Sequence, residues 1–87
     1  MGETAEARRL YEEVIEGQTA QLGASHSSTL TTKANLGHLL MMTGEVVEAK
    51  VVMEQVASAC VLALGPSHPR TKMYQGAVAQ LSDMLTE

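Results

Sequence analysis

The chain has no tryptophan, no phenylalanine and only two tyrosines, Tyr11 and Tyr74. Single-stranded nucleic acid is gripped by stacking bases on aromatic rings, and this sequence has almost none to offer. It also lacks the basic stripe that phosphate recognition needs: six Lys and Arg face ten Asp and Glu, for a net charge of −4. A single cysteine, Cys60, cannot form an internal disulfide, which suits a reducing compartment. Prolines are few, Pro66 and Pro69 in one short stretch, so most of the chain is free to be helical. The greasiest segment, Val51 to Leu64, is broken by Glu54, Gln55 and Ser58 and is too short and too polar to cross a bilayer. The start Met1-Gly2-Glu3-Thr4 is no secretory signal, and Glu6 stands where a myristoylation motif wants Ser or Thr. These absences predict a soluble, cytoplasmic protein with no nucleic-acid or membrane partner.

What is present is 45% hydrophobic residues in 87, enough for one small folded domain. Leu, Val, Ala and six Met supply the apolar side chains, a set that fills narrow gaps between close helices. The sequence also repeats itself. Shifted by 42 residues, Gly2 falls on Gly44, Glu3 on Glu45, Ala7 on Ala49 and Val14 on Val56. Leu22, Gly23, Ser25 and His26 fall on Leu64, Gly65, Ser67 and His68, and fourteen positions coincide in all. Average residue usage gives roughly three such matches by chance.

Four helical segments follow from apolar spacing and glycine stops. The first runs over 3–22 with Ala7, Leu10, Tyr11, Val14, Ile15 and Leu22 as its core stripe. Arg8–Glu12 and Arg9–Glu13 are expected as solvated pairs on its other face, and Glu3 and Glu6 near its start suit the helix dipole. The second, 27–43, has Leu30, Leu36, Leu39 and Leu40 as core. The third, 45–64, is apolar almost all round and so expects cover on more than one side. The fourth starts at Pro69, a residue suited to a first helical position, and runs towards Glu87 with Tyr74, Ala77, Val78, Leu81 and Leu85 in a stripe. Ala7, Gly37, Ala49 and Ala79 are the small residues expected at close helix approaches. A row of helices with wet ends and a dry middle explains this pattern better than a four-helix bundle, which has no need of equivalent loops at a fixed spacing.

Leu64-Gly65-Pro66-Ser67-His68-Pro69-Arg70-Thr71 resembles the closing loop of tetratricopeptide repeats of the 42-residue kinesin-light-chain type. Leu22-Gly23-Ala24-Ser25-His26-Ser27-Ser28-Thr29 resembles it with both prolines lost. Asn35-Leu36-Gly37 looks like part of that family's first helix. Gly44-Glu45-Val46-Val47-Glu48-Ala49 looks like the start of its second, with Val46 where an aromatic is usual. The resemblance implies an all-α fold, a right-handed stack of antiparallel helix pairs forming a four-helix α-solenoid. It divides residues 1–87, a single domain, into a half repeat (2–24), a whole repeat (25–65) and a half repeat (66–87).

The resemblance further implies a concave groove that binds a peptide or protein. Thr31, Ala34, Asn35, His38, Met41 and Met42 would line it from the second helix, and Met73, Gly76, Gln80 and Asp83 from the fourth. Thr31, Asn35, His38, Met42, Met73 and Gln80 are its candidate peptide-binding residues. Asn35 offers a carboxamide with both donor and acceptor, although its repeat partner is Ala77. Of Met41 and Met42, one is expected in the core and one at the surface. The alternative role is structural: assembly with neighbouring repeats or a homo-oligomer, motivated by the short array and by Val47, Val51 and Val61 on the third helix.

Other chemistry finds little support. His26 and His68 recur at equivalent loop positions but lie 42 residues apart with no Cys or His cluster around them, so a repeated role at the start of a helix outweighs a metal site. Ser67-His68 adjacency does not make a catalytic pair, and no glycine-rich phosphate loop follows a strand. Cys60, in the greasiest helix, reads as a small core residue. No enzyme activity, cofactor or metal is expected.

Overall fold

The computed structural model describes residues 2–86, and among them it forms four α-helices and no strand: α1 (Gly2–Leu22), α2 (Ser27–Met42), α3 (Val46–Leu64) and α4 (Pro69–Leu85). Helix packs against helix in chain order, α1 on α2, α2 on α3 and α3 on α4. The result is a flat slab of 38 × 37 × 15 Å, an all-α helical repeat. The predicted helix bounds hold to within about two residues. The expected final turn of α4 at Glu87 lies outside the described residues.

The glycines end the helices because each takes a backbone angle that a side chain resists. Gly23, Gly44 and Gly65 have φ of 96°, 86° and 93°. The two long connections are built alike. Gly23 N–H donates to Thr19 O at 3.1 Å and Gly65 N–H to Val61 O at 3.0 Å. His26 N–H then reaches Gly23 O, and His68 N–H reaches Gly65 O, both at 3.3 Å. Every atom pair in the first loop reappears 42 residues later, although Pro66 and Pro69 have Ala24 and Ser27 as counterparts.

The two histidines open the helices that follow. The Nδ1 of His26 accepts from Ser28 N–H and that of His68 from Arg70 N–H, each at 3.1 Å. Both residues have extended backbone and occupy the N-cap position of their helix. Each imidazole thus satisfies one of the donors that a helix start leaves unpaired. Pro69 sits in the first turn of α4, where it lacks only an N–H that has no helical partner.

The core runs through the middle of the slab. Leu30, Leu40, Ala49, Val56, Cys60 and Leu81 are at most 2% exposed. Gly37 lets α2 and α3 close up, since a methyl group placed on it would lie 3.2 Å from Met53 Cε. Cys60 is a packed core side chain, and burial pushes its thiol above its ordinary value. Met41 is half-buried against the core and Met42 is exposed. Thr29 and Thr71, at equivalent positions, are fully buried, with no partner for their hydroxyls among the described residues.

Several expectations need correction. In α1, Leu10, Val14 and Leu22 are 55%, 47% and 46% exposed instead of core, because α1 packs on one neighbour only. Leu85 at the far end of α4 is exposed as well. Ala79 meets no close helix and is exposed. Arg8 does pair with Glu12, at 3.2 Å, but it also reaches Glu45 at 3.0 Å and Glu48, so it ties α1 to the start of α3. Its guanidinium is held above its ordinary value chiefly by the hydrogen bond to Glu12. Among the described residues Arg9 makes no ion pair with Glu13; it borders a cleft between α1, α2 and α3 together with Glu12, Glu16 and Lys33.

Candidate functional site

The candidate residues of α2 fall on one stripe because they are spaced four, three and four apart: Thr31, Asn35, His38 and Met42. All four are exposed, Met42 to 70%. On α4, Met73 is 57% exposed and Gln80, seven residues on, is exposed on the same side of its helix. Ala34, also expected at the groove, belongs instead to the core, where it packs between the helices at 9% exposure. Met41 likewise turns towards the core. Gly76 and Asp83 are exposed as expected.

Arg70 joins the two helices. From the first turn of α4 its guanidinium donates to Thr31 Oγ1 on α2 at 2.8 Å and to the Tyr74 hydroxyl at 3.4 Å. The bond to Tyr74 is the main cause that holds Arg70 above its ordinary value. Thr31 is therefore spoken for: its hydroxyl donates to Ser27 O at 2.8 Å and accepts from Arg70. It positions α4 against α2 more than it offers a free group to a ligand. Nothing in the sequence flags this link, since the two residues lie 39 apart and at unequal places in the repeat.

Among the described residues no side-chain hydrogen bond engages Asn35, His38 or Gln80. Their donors and acceptors are open to solvent. Asn35 also stands at the rim of an apolar cleft of about 430 Å³ between α1 and α2, lined by Ala7, Leu10, Tyr11 and Val14 together with Thr32. Hence Asn35 and Thr32 sit where two surfaces meet, the polar stripe of α2 and the greasy face of α1.

Further exposed apolar residues lie at the start and near the end of α3, with exposed Gln55 and Ser58 between them. Val47 is 65%, Val51 47% and Leu62 87% exposed, whereas Val61 is half-buried. No group of three or more His, Cys, Asp or Glu converges on one point among the described residues. No helix there is long and apolar enough to cross a membrane.

No curated protein and no solved structure matches the chain. Residues 29–70, which take in nearly all of α2, the whole of α3 and the first residues of α4, match the family model of the tetratricopeptide repeat.

Proposed function

We propose that this protein is an interaction module that binds a peptide or protein partner across the exposed stripes of α2 and α4. Tetratricopeptide repeats are generally protein–protein interaction modules. The observation that carries the reading here is the set of polar side chains left without internal partners. Asn35, His38 and Gln80 are exposed and unbonded, and the flexible thioethers of Met42 and Met73 flank them. A carboxamide grips a peptide backbone through donor and acceptor together, and methionine adapts to irregular apolar surfaces. Arg70 and His38 favour a partner with acidic groups. The loop Leu64–Thr71 supports placing the repeat in the kinesin-light-chain type. On that basis residues 2–24 and 66–87 are half repeats around a whole one at 25–65.

The test is a titration of the isotope-labelled chain with acidic and with neutral peptides, followed by NMR. Shifts should gather on α2 and α4. Asn35→Ala should weaken binding about fivefold, the worth of one hydrogen bond, with no change in melting temperature. Shifts confined to α1 and α3 would refute the reading.

A second reading, self-association, is favoured by the exposed apolar residues Val47, Val51 and Leu62 on α3. Sedimentation of the chain as a monomer at all accessible concentrations removes it. A dimer that Leu62→Glu dissociates supports it.

A further inference from the structure

His26 and His68 hold their helices by a bond that only a neutral ring can make. Each Nδ1 accepts from the N–H two residues on, at 3.1 Å. A protonated imidazole donates from both nitrogens and has no acceptor left. Protonation therefore breaks the cap and sets a cation at the helix start, where the dipole disfavours positive charge. Free imidazole titrates at about pH 6.5, so the cap is intact above that range and is withdrawn as pH falls through it. A frayed helix start takes up the proton more readily than a capped one, and acid shifts the balance towards fraying.

Among the described residues no carboxylate within ion-pair reach of either ring offsets that charge, since the ion pairs there are those of Arg8. Around His68 stand Arg70, a cation throughout, and beside it Tyr74 on α4 and Cys60 on α3, which both keep their protons in acid. Facing them from α2 is Thr31, which does not titrate. The repeat-equivalent places around His26 hold Ser28, Thr32 and Gln18, none of them titratable.

The two caps differ in what backs them. α2 lies between α1 and α3, whereas α4 packs on α3 and touches α2 through the Arg70 side chain. A lost cap at α2 leaves a helix held on both flanks. At α4 it loosens a first turn with less support. Pro69 presets one backbone angle there and supplies no acceptor. Thr71 is buried in that turn, but its hydroxyl has no partner among the described residues, a cost that release to water removes. We propose that His68 is a pH-sensitive clasp: its protonation releases the first turn of α4, residues 69–72, and with it the Arg70–Thr31 link between α4 and α2. The clasp opens whether or not a partner occupies that surface.

The test is an NMR titration of the isotope-labelled full chain. Side-chain carboxylates titrate at about pH 4, so the range between about pH 7.5 and 5 reads histidine. As the His68 ring takes up its proton, the backbone signals of residues 69–72 should move towards coil values, and those of Thr31 should follow with the same midpoint. Protection of the Arg70 amide against exchange, corrected for the intrinsic effect of pH, should fall about fivefold, the worth of a cap. His68→Asp caps through a charged carboxylate and should hold that protection level across the range. Should this variant fail to fold, His68→Asn, an acceptor that never titrates, takes its place. His38→Ala should leave the fall unchanged. Constant Arg70 protection while the His68 ring titrates would overturn the clasp, and so would an equal fall in His68→Asp or His68→Asn.

Discussion

α1 and α3 occupy the same place in the 42-residue repeat, yet one is a rim and the other a centre. Val14 is 47% exposed and its counterpart Val56 is fully buried. The loops that follow these two helices differ in sequence and agree in structure, down to the imidazole that caps the next helix. Local backbone chemistry is therefore copied faithfully from unit to unit, whereas burial is set by the number of neighbours. An apolar residue in a repeat protein cannot be assigned to the core from its position in the unit alone.

The comparison can be broken most directly at its valines. Val56→Ala removes two carbons from a sealed site and should cost about 2–3 kcal/mol, by the transfer of two methylene equivalents plus the cavity left behind. Val14→Ala should cost less than about 0.5 kcal/mol. Urea unfolding of both variants measures the difference, and equal losses would mean that α1 is covered in solution. A second contrast sets two helix glycines against each other. Gly37→Leu should destabilise by about 1–3 kcal/mol through overpacking against Met53. Gly17, with open space around it, should gain about 0.5–1 kcal/mol on Gly17→Ala, visible as a raised melting temperature.

The loops sharpen the other half of the comparison. His26→Ala and His68→Ala should each cost about 1 kcal/mol in thermal unfolding, as lost helix caps do, and His26→Asp should restore most of it. A loss at one site only would show that the two loops are not equivalent in solution. The smallest effect tests the missing prolines. Because both loops share one hydrogen-bond pattern, Ser27→Pro should fit the first position of α2 as Pro69 fits that of α4. It should stabilise the fold by about 0.4–1 kcal/mol by restricting the unfolded chain.

Helix positions and stops were legible because they depend on local signals: apolar spacing, Gly23, Gly44 and Gly65, and Pro69. The reading of His26 and His68 as residues of the helix start follows from their recurrence, and the Nδ1 cap supplies its mechanism. The near approach at Gly37 was legible from the small size of the residue, a signal that failed at exposed Ala79. What escaped the sequence is non-local. Arg8 reaches Glu45 and Glu48, 37 and 40 residues away, and Arg70 takes up Thr31 across 39. Ala34 belongs to the buried cluster, which its resemblance to groove residues does not reveal. The buried hydroxyls of Thr29 and Thr71 carry no signature that spacing could reveal, since a threonine in a first helical turn is unremarkable until its surroundings are known.

Since helix packs on helix between chain neighbours, with only the polar reaches of Arg8 and Arg70 going further among the described residues, cooperativity spreads much as it does along a row of coupled segments. Opening can start at one border without disturbing the rest. Amide hydrogens of α1 should exchange earliest, with the guanidinium of Arg8 as a latch that skips a segment at that border. Those of α2 and α3 should hold out until the whole domain melts. Any ligand that seats itself on α1 would thereby act as an extra link at the weak end and slow the fraying.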